Sequence, residues 1–141
     1  MRTQSRVDGY FYFTNPLRMN SQTILIIDDE SEIVSLLSRV LIKKGFQVCT
    51  AHNLKDGWES LQVVKPDIVF LDMNLPDGNG LDQLATIKNN FPSVKVIMIS
   101  AFDIEEHRKK AREDGAYSFL SKPFNLNQVS DLIQEIKKNG N

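Results

Sequence analysis

From Thr23 onward the chain alternates between two hydrophobic periods. Short apolar runs at 24–27, 46–51, 68–71, 94–99 and 117–120 have the brevity and the β-branched or aromatic content of buried strands. Helix-length stretches lie between them. Ile33, Leu36, Leu37, Val40 and Leu41 form one apolar stripe at spacings of three and four, and Leu126, Val129, Leu132, Ile133 and Ile136 form another. Asn125 and Gln128 ahead of the second stripe predict a reciprocal helix cap. Gly45 and Gly115 are placed to close two helices in the left-handed conformation. Leu54, Trp58 and Leu61 share a face, so Trp58 reads as edge-of-core filler. The stretch FDIEEHRKKAREDGA offers few apolar anchors besides Ile104 and Ala111, which predicts a weakly packed helix. There is no internal repeat and no low-complexity tract.

Five strand–helix units in succession predict an α/β fold: a doubly wound, five-stranded parallel sheet with helices on both faces, flavodoxin-like (βα)5. Chemistry in such sheets collects at the carboxyl ends of the strands. The first strand, ILII, runs straight into Asp28, Asp29 and Glu30. The third ends in Asp72 and the loop DMNLPDGNG, the fourth in Ser100-Ala101, and the fifth in Ser121-Lys122-Pro123-Phe124. His52-Asn53 after the second carries no signal. Three acids, a hydroxyl and a lysine are thereby predicted to meet at one edge of one sheet.

Composition narrows the class. The 141 residues suffice for one domain with its own core, and 41% hydrophobic and 25% charged residues are ordinary for a soluble globular protein. A net charge of −1 points to neither a nucleic-acid nor a membrane surface. The lone Cys49 cannot form an internal disulfide, which fits a reducing compartment and a cytoplasmic location. No apolar run approaches the roughly 20 residues of a membrane span. Residues 1–20 lack the apolar core of a signal peptide. Their aromatic run Tyr10-Phe11-Tyr12-Phe13 could pack on the domain or pair as an extra strand. The expectation is an N-terminal extension or vector-derived tail over 1–20 and the domain over 21–141.

Carboxylates gathered within a few ångströms repel by several kcal/mol, so something positive must sit among them. Lys122 supplies one charge. A hard divalent cation such as Mg²⁺, with oxygen ligands, supplies the rest. A hydroxyl and an ammonium around a carboxylate and Mg²⁺ are the parts that stabilise a phosphoryl group in transfer, and carboxylates attack phosphorus to form aspartyl-phosphates. Each element also has a plain structural reading. Glu30 is expected to cap the following helix, Ser100 alone is a common cap, and the Pro and Gly of the Asp72 loop are turn residues in any protein. It is the coincidence of all four strand ends that argues for a site.

The pattern resembles the receiver domain of two-component response regulators, through ILIIDDE, PDIVFLDMNLPDGNG, VIMISA and GAYSFLSKPF, over Thr23 to about Lys138. The resemblance implies that Asp72 accepts a phosphoryl group from a sensor histidine kinase or a histidine phosphotransfer protein. It implies Mg²⁺ held by Asp28, Asp29, Asp72 and the backbone carbonyl of Asn74. Ser100 corresponds to the hydroxyl that contacts the phosphoryl oxygens, Lys122 to the ion-pairing lysine, Phe119 to the switch aromatic, and Pro123 to a residue after a cis bond. A target protein, an output domain or a phosphorylation-dependent second copy is expected on the face over 103–138. Neither nucleic acid nor membrane is an expected direct partner. A haloacid-dehalogenase-type phosphatase is the rival enzyme reading. It requires a second acid two positions after the nucleophile, where this chain has Asn74, and a different order of elements. A phosphorylation-independent module of the same fold is the other rival, and the intact acid, hydroxyl and lysine set argues against it. The polar ending at 137–141 reads as the start of a linker, leaving a stand-alone domain and a piece of a longer regulator both open.

Overall fold

A computed structural model describes the backbone of residues 3–7 and 10–14, and residues 22–140. The chain runs β1 (Thr3–Val7), β2 (Tyr10–Thr14), β3 (Thr23–Ile27), α1 (Ser31–Lys43), β4 (Gln47–Ala51), α2 (Leu54–Val64) and β5 (Ile68–Asp72). A two-residue ribbon follows, β6 (Asn74–Leu75) with β7 (Gly78–Asn79). Then come α3 (Gly80–Asn90), β8 (Lys95–Ser100), α4 (Glu105–Glu113), β9 (Ser118–Ser121) and α5 (Leu126–Gly140). The five expected parallel strands are present in the order β4-β3-β5-β8-β9. To their β4 edge the sheet adds an antiparallel hairpin, β1 and β2, with Tyr12 opposite Cys49 and Phe13 opposite Val48. The aromatic run is thus an extra strand.

The strands read as unbroken apolar runs because helices cover both sides of the sheet. Ile24 and Ile26 of β3 pack with Leu37, Leu41, Val129 and Ile133 of α1 and α5. Their neighbours Leu25 and Ile27 face the opposite layer, with Leu61 of α2, Leu84 of α3 and Ala111 of α4. Gly57 lets α2 approach that layer closely, since a Cβ there would lie 2.7 Å from Ile27 Cδ1. The crossovers from β3 and β5 lead to opposite sides, which leaves a crevice at the carboxyl ends of these two strands. Asp28 and Asp72 stand at these two strand ends.

The local signals mostly hold. Asn125 Oδ1 accepts from Gln128 N–H at 2.9 Å while Gln128 Oε1 accepts from Asn125 N–H at 2.8 Å. Gly45 and Gly115 have φ of 99° and 100°. Trp58 is half-buried, tilted against Phe91 with ring centroids 6.3 Å apart. Two apolar anchors are corrected. Ile104 is the N-cap of α4 and 49% exposed, because the helix starts only at Glu105, so Ala111 alone anchors it in the core. Leu126 is 48% exposed, since it lies in the first turn of α5 and the buried stripe begins at Val129. No helix among the described residues is long and apolar enough to cross a membrane.

Candidate functional site

Four strand ends deliver the site. Asp28 leaves β3 in a tight turn: its N–H bonds the Ala51 carbonyl at 3.0 Å, and its Oδ1 accepts from the Glu30 N–H at 2.8 Å. That turn fixes the buried Asp28 carboxylate and leaves Asp29 exposed. Asp72 is the last residue of β5, buried beside Ile99 of β8. Ser100 ends β8 and is fully buried. Lys122 follows β9, its backbone N–H bonded to the Ser100 carbonyl at 2.8 Å, and the bond to Pro123 is cis as expected.

The side chains converge. Lys122 Nζ lies 3.3 Å from Asp72 Oδ2 and 3.2 Å from Asp28 Oδ2, and it also bonds Glu30 Oε1. One carboxylate oxygen each from Asp28, Asp29 and Asp72 falls within 4.8 Å of the others. Glu30 does occupy the N-cap of α1, but its carboxylate takes no helix N–H. It turns to Lys122 because a charge-assisted bond to an ammonium outweighs one to a half-solvated amide. The expected capping role of that side chain is therefore corrected.

Burial, followed by the neighbouring Asp28 charge, pushes the Asp72 carboxyl up to about 6. Burial likewise raises Asp28. For Lys122 burial pulls downward, but Glu30, Asp72 and Asp28 together outweigh it and the ammonium is held more firmly protonated than usual. Asp28 Oδ2, though paired in charge with Lys122, is buried and receives no aligned hydrogen bond. Three hard carboxylate oxygens gathered around a single ammonium, the buried Asp28 Oδ2 among them without an aligned hydrogen bond, fit a cation of the Mg²⁺ kind.

The family profile of the response regulator receiver domain matches residues 24–134. This chain belongs to that family. Its relatives include the response regulator PilR of Pseudomonas aeruginosa, 36% identical over 115 residues that make up 82% of this chain and 26% of PilR. Sporulation initiation phosphotransferase F of Bacillus subtilis is 32% identical over 120 residues, 83% of this chain and 94% of that protein. The solved receiver domain of NtrX from Brucella abortus superposes with a TM-score of 0.76 at 30% identity, covering 83% of this chain and 99% of that one. Against several curated relatives the chain spans only part of their length, 24% for the NtrC regulator of Azospirillum brasilense and 49% for KdpE of Staphylococcus aureus.

Within this receiver, the predicted acids and Lys122 come together, while Ser100 and Phe119 are engaged elsewhere. The Ser100 hydroxyl accepts from the Phe102 N–H at 2.9 Å and donates to the Phe102 carbonyl at 3.2 Å. Phe119 is half-buried on β9 opposite Met98, with the Arg108 guanidinium 4.8 Å from its ring centroid. Asn74 is exposed, and its N–H donates to Asp72 Oδ1 at 3.3 Å. Two residues of the 73–80 loop escaped the sequence reading. Asp77 accepts from the Leu54 and Lys55 N–H groups at 2.7 and 3.0 Å, pinning the loop to the start of α2. Gly80 donates its N–H to the Met73 carbonyl at 2.8 Å and packs on the Asp72 backbone. In sequence both look like ordinary turn residues, because their partners are a different element and a backbone oxygen.

Proposed function

We propose that this receiver accepts a phosphoryl group on Asp72 from a sensor histidine kinase or histidine phosphotransfer protein, in a Mg²⁺-dependent reaction. The modification then switches a face over residues 103–138, offered to an output domain, a target protein or a second phosphorylated copy. The observation that carries this reading is the buried Asp72 carboxylate, with Lys122 Nζ at 3.3 Å and the Asp28 and Asp29 oxygens within 4.8 Å.

In the proposed step an ionised Asp72 oxygen bonds to phosphorus as the bond from phosphorus to the donor nitrogen breaks, and the donor imidazole leaves with that electron pair. With its carboxyl at about 6, Asp72 is mostly ionised near neutral pH and so competent to attack. Asp28, Asp29, Asp72 and the Asn74 carbonyl would hold Mg²⁺, which when bound supplies charge stabilisation for the transferring oxygens. Lys122 offers its ammonium to one phosphoryl oxygen. The Ser100 hydroxyl, on leaving Phe102, can donate to another.

Acetyl phosphate with Mg²⁺ is expected to add one phosphoryl group by intact mass, and none to Asp72→Asn. Equal labelling of that variant would overturn the assignment. Asp28→Ala and Asp29→Ala are each expected to weaken Mg²⁺ binding at least about tenfold, read by titration calorimetry. Undiminished affinity in both would leave these acids as structural turn residues only.

A further inference from the structure

Residues 101–106 are all exposed, and Ala111 is the one buried residue of α4. A segment packed so thinly is held by something other than core burial. The holding contacts form a cluster drawn from the loop after Ser100, from α4 and from β9. Arg108 grips the Asp103 carboxylate through both Nε and Nη2, the latter at 3.0 Å from Oδ2. The Ser121 hydroxyl donates to the same Oδ2 at 2.7 Å and accepts from Arg108 Nη2 at 3.3 Å. The guanidinium plane carbon also sits 4.8 Å from the Phe119 ring centroid. Asp103 directly follows Phe102, whose N–H holds the Ser100 hydroxyl. A continuous path therefore runs from Ser100 through the Phe102 backbone, Asp103 and Arg108 to Phe119.

We propose that Arg108 is a positioning residue, a latch that keeps α4 and Phe119 in the unmodified arrangement while the Ser100 hydroxyl stays with Phe102, and that lets go when this hydroxyl turns to a phosphoryl oxygen on Asp72. This rests on the phosphoacceptor reading above. Arginine suits the task because one planar fork can bind a carboxylate and a hydroxyl with its edge while its face covers a ring. The Arg108 and Asp103 side chains are 36% and 42% exposed, so the pair is weak enough to open reversibly. Hydrogen bonds from Arg108 and then Ser121 hold the Asp103 carboxyl down to about 2, so its charge persists further into acid than that of an ordinary carboxylate. An incidental surface ion pair is the plain alternative. It predicts no effect at the distant Ser100.

The test follows backbone amide shifts of the full chain in Mg²⁺, with and without the phosphoryl mimic beryllofluoride. In the free proteins, Arg108→Ala and Asp103→Asn are expected to move the resonances of residues 100–103 and 118–121 along the line toward the positions of the beryllofluoride-bound parent. Beryllofluoride is expected to bind these variants roughly fivefold more tightly, because the latch opposes the switched state. Arg108→Lys, which keeps the charge without the fork or the stacking face, should restore only a minor part of the parent's shifts. Changes confined to the substituted residue's neighbours, with unaltered beryllofluoride affinity in a parent that itself responds, would overturn the latch alone. A parent with no response to beryllofluoride and Mg²⁺ would overturn the phosphoacceptor reading, and the latch with it.

Discussion

Gly80→Ala is expected to destabilise the domain by about 3 kcal/mol, a drop in Tm of about 10 °C. A Cβ at this position would lie 2.1 Å from the Asp72 carbonyl oxygen and 3.1 Å from its carbonyl carbon, and backbone cannot swing aside as a side-chain tip can. The strain would fall on the very peptide of Asp72, because Gly80 begins α3 and its N–H bonds the Met73 carbonyl. Thermal unfolding by circular dichroism measures the effect. A loss of under about 2 °C would mean that α3 can slide outward without penalty, contrary to the packing of Leu81 and Leu84 in the core.

Asp72→Asn is expected to have the opposite sign in the absence of divalent cations. The Asp72 carboxyl stands at about 6 in the folded chain against 3.8 as its ordinary value, through burial first and the Asp28 charge second. A raised acid binds its proton more tightly folded than unfolded. Its stabilising contribution is therefore complete below 3.8 and is lost as the pH rises through about 6. Near neutrality the ionised Asp72 costs up to about 3 kcal/mol, which the uncharged asparagine removes. The variant should therefore unfold at higher temperature than the parent near pH 8 in a chelator, with the gap closing as the pH falls from 6 toward 4. Adding Mg²⁺ should raise the parent's Tm more than the variant's, since cation binding to the folded state is linked to stability. A pH-independent gap between the two proteins would show that Asp72 is not destabilised by its surroundings.

Much of the fold and part of the site were legible in the residues. The unbroken ILII and IVFL runs announced strands covered on both faces, and the Asn125 and Gln128 spacing announced its reciprocal cap, because both patterns follow from local geometry. The strand-end rule then brought Asp28, Asp72, Ser100 and Lys122 to one edge from four separate stretches. Residues whose partners lie far along the chain were not legible. Asp77 looked like part of a turn, yet it caps a helix 22 and 23 residues away in sequence. Glu30 looked like a cap and instead reaches Lys122, 92 residues on. Ile104 looked like an anchor because helical periodicity gives no sign of where a helix begins.

By itself, then, the sequence determined the five parallel strands and the helices between them, most of their apolar faces and which chemical groups stand at the strand ends, since these depend on spacing and residue type alone. Only the tertiary structure decided which acids share the lysine, where the Ser100 hydroxyl rests and that Arg108 lies between Asp103 and Phe119. Those outcomes depend on competition among several charged and polar partners across a few ångströms, and that distance exists only once the sheet has brought the strands together.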